Sequence, residues 1–223
     1  MTVPDWWRQP RLIHVVVDNP SWILPHAEAL VAWIDGGGDR GVLCRDHDSI
    51  GQGAIAFYLG CLRLTPPAVL ARNRVNLVVH ESDLPKGRGF APVGWQILEG
   101  ADAIPVCLIE MTEEADAGPI VLREVMHFRG NELLPELRDA QGRTTVTLCR
   151  AYLSAPTPPA GRPQSGAPTS YPRRRPKDSE LDPSRSIAEQ FNLLRIIDNE
   201  RYPAFFDYAG RRYRLRIEPW DET

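Results

Sequence analysis

The stretch V-N-L-V-V-H-E-S-D-L-P-K-G-R-G, residues 75–89, decides the fold of this chain. Its first six residues are largely apolar and predict a buried strand that ends at His80. The remainder mixes proline and glycine with charged residues, which predicts a loop at the carboxyl end of that strand. Open α/β sheets bind ligands just outside the carboxyl ends of their strands. His80 is therefore the first candidate for a site residue.

A second pair of strand and loop lies further along the chain. Residues 104–111 form an apolar run, and the loop T-E-E-A-D-A-G-P-I follows at 112–120. If the two strands are neighbours, both loops open on the same edge of the sheet, and Asp116 comes close to His80. An imidazole beside a carboxylate is suited to proton transfer near neutral pH. A histidine alone at a strand end is more often an ordinary polar residue, so the pair carries the prediction of catalysis.

The rest of the first 155 residues alternates apolar runs with amphipathic stretches. We predict further strands at 12–17, 41–44, 54–59 and 120–128, and helices at 24–34, 67–72, 92–98 and 133–153. Strands that alternate with helices are typical of βαβ units. The sequence therefore predicts an α/β, Rossmann-like fold with a mostly parallel sheet flanked by helices.

The pattern predicts three regions, with a catalytic domain at 1–155. Residues 156–176 are rich in proline, glycine and serine and include the basic cluster Arg173–Arg175, so we predict a linker or extended arm. Residues 177–223 form a small α/β appendage, with a helix near 187–197 and two strands, 204–208 and 212–217, around the turn Ala209-Gly210.

Composition excludes several classes of protein. The 223 residues carry a formal net charge of −3, which is no general nucleic-acid footprint. A run of about 18 apolar residues, as a membrane span needs, is missing from the sequence, and the N-terminal sequence does not resemble a secretory signal. The four cysteines are widely spaced, so we expect buried thiols in the cytoplasm. They are Cys44, Cys61, Cys107 and Cys149.

Three other features have competing interpretations. G-G-G-D-R-G at 36–41 has the letters of a dinucleotide fingerprint, but a helix precedes it and a strand follows, so we predict a loop. D-H-D at 46–48 has no accompanying ligands at metal-site spacing, and we expect a polar loop there too. Trp6, Trp7 and Trp220 are either interface residues or scattered surface aromatics.

The paired motifs resemble those of the N10-formyltetrahydrofolate-dependent formyltransferases. The family pattern N-x-H-x-S-L-L-P-x-x-R-G is matched by V-V-H-E-S-D-L-P-K-G-R-G at 78–89, and its D-x-G-x-I by D-A-G-P-I at 116–120. The resemblance implies a formyltransferase that uses N10-formyltetrahydrofolate as formyl donor and needs no metal, with His80 and Asp116 as catalytic residues. The implied pterin-binding residues lie in two loops: Leu62, Arg63, Leu64 and Thr65 in one, and Met111, Thr112 and Glu113 in the other.

One departure from the family pattern matters. Val78 stands where the family has an Asn that helps to stabilise the oxyanion, and the loss of one such donor typically costs about 3–4 kcal/mol. Asn76 shares the strand parity of His80 but lies too far along the strand to replace that Asn directly. Ser82, a backbone N–H or a water remain as alternatives.

The resemblance is greatest to sugar N-formyltransferases of the pseudaminic-acid-pathway type, which act in cell-surface polysaccharide biosynthesis. The short C-terminal region and net acidity argue against a tRNA acceptor, so we expect a small amino sugar, either nucleotide-linked or a nonulosonic-acid precursor. Arg173–Arg175 either bind its phosphates or lie in a solvated loop, and the solvated loop is the more common case. The alternatives are a catalytically altered folate-binding protein and an enzyme that formylates a carrier-bound amino acid. The resemblance also implies a possible homodimer.

Overall fold

The computed structural model describes residues 3–220, and a six-stranded sheet forms its centre. The strands are β1 (Leu12–Val16), β2 (Arg40–Cys44), β3 (Gly53–Tyr58), β4 (Asn73–His80), β5 (Arg88–Gly89), β6 (Ala103–Glu110), β7 (Ile120–His127), β8 (Ser170–Tyr171), β9 (Ala204–Tyr208) and β10 (Arg211–Leu215). The α-helices are α1 (Leu24–Gly36), α2 (Pro67–Leu70), α3 (Pro92–Leu98), α4 (Leu134–Leu153) and α5 (Phe191–Arg195). Short 3-10 turns lie at Asp5–Trp7, Pro176–Ser179 and Ala188–Gln190.

The order of the strands in the central sheet is β2-β1-β3-β4-β6-β7. The first three pairings are parallel, which confirms the predicted mostly parallel α/β fold. The pairings of β4 with β6 and of β6 with β7 are antiparallel. The expectation that the loops after β4 and β6 leave from the same edge of the sheet is therefore wrong. A short connection through α3 and a hairpin reverse the chain direction here, and strand periodicity alone does not distinguish the two directions.

The main core lies between the sheet and the helices α1 and α4. Central β1 is buried on both faces, as its unbroken apolar sequence predicts: Val15 faces this core, and Val16 faces a second cluster with Tyr58. The carboxylate of Glu136 accepts a hydrogen bond from the backbone N–H of Leu133 at 2.8 Å, which satisfies one donor at the start of α4.

The proline-rich segment 156–176 is extended, but it does not hang free in solvent. Arg162 exchanges two backbone hydrogen bonds with Ile120, both 2.8 Å long. Further on, β8 pairs in parallel with β5. The segment therefore packs across the loops that follow β4 and β6. We call residues 156–176 the arm.

The C-terminal region contains the predicted helix and hairpin. The helical segment 188–195 combines a 3-10 turn with α5, and β9 and β10 pair in antiparallel register around Ala209-Gly210, where both residues have positive φ. Arg195 is buried and forms an ion pair of 3.0 Å with Glu132, which links this region to the loop before α4.

Several predictions from single residues have clear outcomes. Trp7 is 4% exposed and donates its indole N–H to the carbonyl of Ala155, so its interpretation as a surface aromatic is wrong; Trp220 is 89% exposed. Three cysteines are buried and Cys61 is half-buried, and none of the four forms a disulfide. Residues 37–39 form the predicted loop between α1 and β2. No helix among residues 3–220 has both the length and the apolar character that crossing a membrane requires.

Candidate active site

His80 and Asp116 lie together, as the sequence predicts. The distance from His80 Nδ1 to Asp116 Oδ1 is 3.4 Å, which is within ion-pair range and long for a hydrogen bond. The two side chains are 7% and 17% exposed, so the pair is largely shielded from water. A shielded pair of this kind interacts more strongly than it would in bulk solvent.

Asp116 reaches His80 by a different route from the predicted one. Because β6 is antiparallel to β4, its end at Glu110 lies opposite Leu77 instead of beside the end of β4. The loop at 111–119 therefore folds back over the sheet. Asp116 adopts a positive φ of 56°, and its Oδ2 accepts the backbone N–H of Gly89 at 2.9 Å. Asp is one of the residues that tolerate this left-handed conformation best.

The contacts of the imidazole define where its protons lie. His80 Nε2 is 2.8 Å from the carbonyl oxygen of Gly87, which can only accept, so Nε2 carries a hydrogen. With a neutral imidazole, the lone pair of Nδ1 would then face the carboxylate of Asp116. Nδ1 is therefore the ring nitrogen that faces Asp116.

Glu81 adds a carboxyl group next to this pair, and the sequence analysis did not single it out. Burial raises the pKa of Glu81, and the charge of Asp116 raises it further. The charge of His80 and a hydrogen bond from Gln141 oppose this rise. The Gln141 amide lies 3.2 Å from Glu81 Oε1 and connects this carboxyl to α4. Its adjacency to His80 was the only available signal in the sequence.

The first predicted pterin loop is held in place by Asp18, which the sequence analysis also missed. Asp18 follows β1 and is 8% exposed, and its carboxylate accepts the backbone N–H groups of Leu62 and Arg63 at 2.9 Å each. Burial alone would raise the pKa of Asp18, but these hydrogen bonds and one from Asn19 bring it below its usual value. The signal in the sequence was an acidic residue at the carboxyl end of a buried strand.

The predicted pterin residues of this loop are open to solvent. Leu62 and Leu64 are 59% and 82% exposed, and Arg63 is exposed as well. Thr65 is half-buried, with its hydroxyl 3.4 Å from His47 Nε2. The loop therefore presents two apolar side chains to solvent.

The second predicted pterin loop lies between β6 and β7. The backbone N–H of Met111 donates to the carbonyl of Asn76 at 2.8 Å, and the Thr112 hydroxyl donates to the carbonyl of Glu114, also at 2.8 Å. Thr112 and Glu113 are exposed. This loop is the one that carries Asp116, so the predicted binding and catalytic residues belong to one segment.

Asn76 and Ser82, considered above as oxyanion donors, have partners within the protein. Asn76 donates its side-chain amide to the carbonyl of Leu70 at 2.9 Å, and Ser82 donates its hydroxyl to the carbonyl of Lys86 at 2.8 Å. Among residues 3–220, no group of three or more His, Cys, Asp and Glu side chains is arranged to hold a metal ion, and the D-H-D segment is no exception.

The basic cluster of the arm divides into two kinds of residue. Arg174 is half-buried and donates to the carbonyls of Ile196 and Asp178. Burial lowers the pKa of Arg174, while the charge of Asp178 opposes that change. Arg173 and Arg175 are exposed, and the guanidinium of Arg173 lies 4.4 Å from the ring centre of Phe90. The interpretation as a solvated loop therefore does not hold for Arg174.

The chain is thus an α/β protein in which a shielded histidine–carboxylate pair lies at the end of β4. Residues 53–141 match the family model described as formyl transferase. This match includes both His80 and Asp116. Residues 53–141 therefore form a domain of the formyl transferase type.

Several solved structures share the fold of this chain. Methionyl-tRNA formyltransferase from Clostridium thermocellum is 19% identical with a TM-score of 0.78, and the match covers 94% of this chain and 93% of that one. A 4-N formyltransferase from Francisella tularensis is 16% identical with a TM-score of 0.71, covering 96% and 100%. HypX from Aquifex aeolicus, in complex with tetrahydrofolic acid, is 14% identical with a TM-score of 0.70; this chain spans 38% of its length. At such identities the likeness is one of fold.

Proposed function

We propose that this protein transfers the formyl group of N10-formyltetrahydrofolate to the amine of an amino sugar, with His80 and Asp116 as the catalytic pair. The observation that carries the proposal is the separation of 3.4 Å between His80 Nδ1 and Asp116 Oδ1 inside the formyl transferase domain. The acceptor is either nucleotide-linked or a precursor of a nonulosonic acid.

The loop 62–65 supports a folate as donor. Its exposed leucines offer apolar surface to a pterin ring, and HypX, a protein of the same fold, binds tetrahydrofolic acid. Since Asp18 already uses the N–H groups of Leu62 and Arg63, the pterin would take its hydrogen bonds from the remaining backbone groups up to Thr65. Met111, Thr112 and Glu113 would bound the other side.

In the proposed reaction, the bond from the acceptor nitrogen to the formyl carbon forms, and the bond from that carbon to N10 breaks. Asp116 accepts the proton that the amine loses, and this proton ends on N10. The Nδ1–H of His80 donates to the formyl oxygen while charge develops there. Nε2 remains bound to Gly87, so it orients the ring and takes no direct part.

The acceptor is argued from the surface beside the pair. Phe90 follows Gly89, whose N–H binds Asp116, and Phe90 is 44% exposed with Arg173 over its ring. An aromatic side chain next to an exposed guanidinium suits a nucleotide diphosphate, which has a planar base and anionic phosphates. The length of the chain does not exclude a tRNA acceptor, because the Clostridium thermocellum structure is of similar length. The argument against tRNA therefore rests on the net charge of −3.

The test combines N10-formyltetrahydrofolate with nucleotide-linked amino sugars, free amino sugars, a carrier-bound amino acid and methionyl-tRNA. We expect release of tetrahydrofolate and a formylated product with an amino sugar only. Folate binding without turnover on any acceptor would favour the catalytically altered protein, for which Val78 is the supporting feature. Turnover on tRNA or on the carrier would replace the proposed acceptor.

The catalytic role of His80 is tested by His80→Ala. Loss of a general acid–base group typically lowers the rate by about 10²–10⁴-fold. His14→Ala is the matched control, because His14 is also buried, is bound to Asn73 at 3.0 Å and lies on β1. We expect both variants to lose stability and only His80→Ala to lose formyl transfer. Full activity of His80→Ala would refute the role.

A further inference from the structure

The arm, residues 156–176, contacts both loops that supply the catalytic pair. Thr169 accepts the N–H of Arg88 through its backbone carbonyl at 2.9 Å, and Tyr171 accepts that of Phe90 at 3.2 Å. At its other end the arm is joined to Ile120, at the start of β7, by the two backbone hydrogen bonds that Ile120 and Arg162 exchange. The arm thus bridges the loop after His80 and the loop that carries Asp116.

Gln164 binds the backbone around Asp116. Its Nε2 donates to the carbonyls of Asp116 and Gly118 at 2.7 and 2.9 Å, and its Oε1 accepts from the Arg88 guanidinium at 2.9 Å. The left-handed backbone of Asp116 is unfavourable for a residue other than glycine, so surrounding contacts must hold it. One amide side chain supplies two of those contacts.

The contacts of Gln164 extend through Arg88 to Glu114, in the loop that carries Asp116. Arg88 uses its second guanidinium nitrogen for an ion pair of 2.7 Å with Glu114, two residues before Asp116. Gln164 and Glu114 therefore hold Arg88 between them, directly before the Gly89 N–H that binds the Asp116 carboxylate.

Thr169 acts on the histidine side of the pair. Its hydroxyl accepts the backbone N–H of Gly87 at 2.9 Å, and the carbonyl of the same Gly87 accepts His80 Nε2–H. Gly87 has a φ of 70°, and a Cβ there would come within 2.8 Å of the Tyr171 ring. The arm therefore packs tightly on the residue that orients the imidazole.

We propose that Gln164 and Thr169 of the arm are positioning residues, which hold Asp116 and His80 in the geometry that formyl transfer needs. Neither residue is placed against the substrate; each acts through the backbone of a loop that bears a catalytic group. The inference rests on the proposed function of the His80–Asp116 pair. The proline-rich sequence suits the role, because proline reduces the conformational freedom that an extended segment loses on packing.

The first experiment measures turnover of Gln164→Ala, Gln164→Glu and Thr169→Val. We expect kcat to fall by about 10²-fold, as a displacement of a catalytic group of about 1 Å would give, with the dissociation constant for tetrahydrofolate within about threefold of the native value. Thr169→Ser keeps the hydroxyl and should restore kcat. An unchanged kcat in Gln164→Ala and Thr169→Val would overturn the proposal.

Gln190→Ala is the matched control for Gln164. The Gln190 amide likewise bridges backbone groups, accepting from the N–H of Asp182 and donating to its carbonyl, but it lies in the C-terminal region. We expect its kcat to equal that of the native protein. A fall equal to that of Gln164→Ala would mean that lost stability, and not the geometry of the pair, explains the effect.

A second measurement does not depend on turnover. In nitrogen-15 NMR spectra, the Nε2–H of His80 should give a slowly exchanging signal because it is buried against Gly87. We expect faster exchange of this signal in Thr169→Val, with native exchange in Thr169→Ser and in Gln190→Ala. If the native protein turned over no acceptor while Thr169→Val still altered the signal, the proposed function would fail and the positioning role would stand. An unaltered signal in Thr169→Val would refute the positioning role itself.

Discussion

At the scale of single residues, Val78 stands where the pattern that this chain resembles has an Asn. Its side chain is half-buried and packs against Tyr58 on one side and against Leu84, Cys107 and Ile109 on the other. It shares the strand face of His80. An apolar residue at this place contributes packing and offers no hydrogen bond to a developing oxyanion.

Val78→Asn should therefore have two opposite effects. We expect stability to fall by about 1–3 kcal/mol, because an amide replaces an apolar side chain in a packed site. We expect kcat to rise, by up to about 10²-fold, because one oxyanion donor is added. Val78→Ala is the control: it loses packing but adds no donor, so only its melting temperature should fall. An unchanged kcat in Val78→Asn would indicate that another group already serves the oxyanion.

At the scale of elements, the pairing of β5 with β8 is the contact that joins the arm to the motif around His80. Gly89 makes this pairing possible. It has a φ of 99°, and a Cβ would lie 2.5 Å from the backbone oxygen of Tyr171. Backbone atoms cannot move away from such a contact without breaking the pairing.

Gly89→Ala should separate the arm from β5. We expect the free energy of unfolding to fall by about 1–3 kcal/mol because of the steric contact and by a further 1–2 kcal/mol, roughly, because of the left-handed backbone. We also expect kcat to fall, because the Gly89 N–H binds Asp116. Gly100→Ala is a matched control, since Gly100 has a φ of 89° and open space around its Cβ position. Gly100→Ala should lose only the stability that the left-handed backbone costs. Denaturant unfolding and kcat distinguish the two variants, and equal losses would contradict the steric argument.

The direction of β6 is also decided at this scale. The sequence correctly predicts β4, β6 and β7 as strands, because apolar residues at strand spacing report burial and not direction. The antiparallel hairpin of β6 and β7 depends on the loop at 111–119 returning immediately to its neighbour. His80 and Asp116 could be paired from their motifs, but the path that joins them could not.

At the scale of the whole molecule, a buried ion pair joins the residues just before β1 and β2, and its arginine also binds the end of α4. Arg11 and Asp39 are 4% and 5% exposed and 2.6 Å apart, and Arg11 also donates to the carbonyl of Leu153. Burial alone would raise the pKa of Asp39, but hydrogen bonds from Arg11 and Gln9 and the Arg11 charge lower it below its usual value.

The lowered pKa predicts how stability depends on pH. The contribution of Asp39 is fully present above the pKa of the unfolded chain, about 3.9, and is lost as the pH falls through the lower pKa of the folded state. Asp39→Asn should lower the free energy of unfolding by on the order of 3 kcal/mol at neutral pH, because the Arg11 charge stays buried. Below about pH 4, the stability of this variant should fall less steeply with decreasing pH than that of the native protein. Asp5→Asn is the control, since Asp5 is 97% exposed. Unfolding at several pH values measures both effects, and an unchanged slope in Asp39→Asn would contradict the assignment.

Folate binding should also stabilise the whole chain. At a tetrahydrofolate concentration of about 100 times Kd, linkage predicts about 2.7 kcal/mol, which corresponds to a rise in Tm of roughly 5–11 °C for a chain of this size. Leu64→Asp should abolish this shift without changing Tm in the absence of ligand, because Leu64 is 82% exposed. Ile187→Asp, at a position that is 69% exposed in the C-terminal region, should keep the full shift. A full shift in Leu64→Asp would place the folate elsewhere.

The sequence by itself determined the α/β class, the longer strands and helices, and the choice of His80 and Asp116, because hydrophobic periodicity and short motifs are local properties. Only the tertiary structure decided the antiparallel direction of β6, the role of Asp18 under the loop 62–65 and the bridge of Gln164 and Thr169. These contacts join residues that are distant in the chain, and several pass through backbone N–H and carbonyl groups, which every residue carries. Composition marks such a segment as a linker or extended arm; its packing joins it to the loops that carry His80 and Asp116.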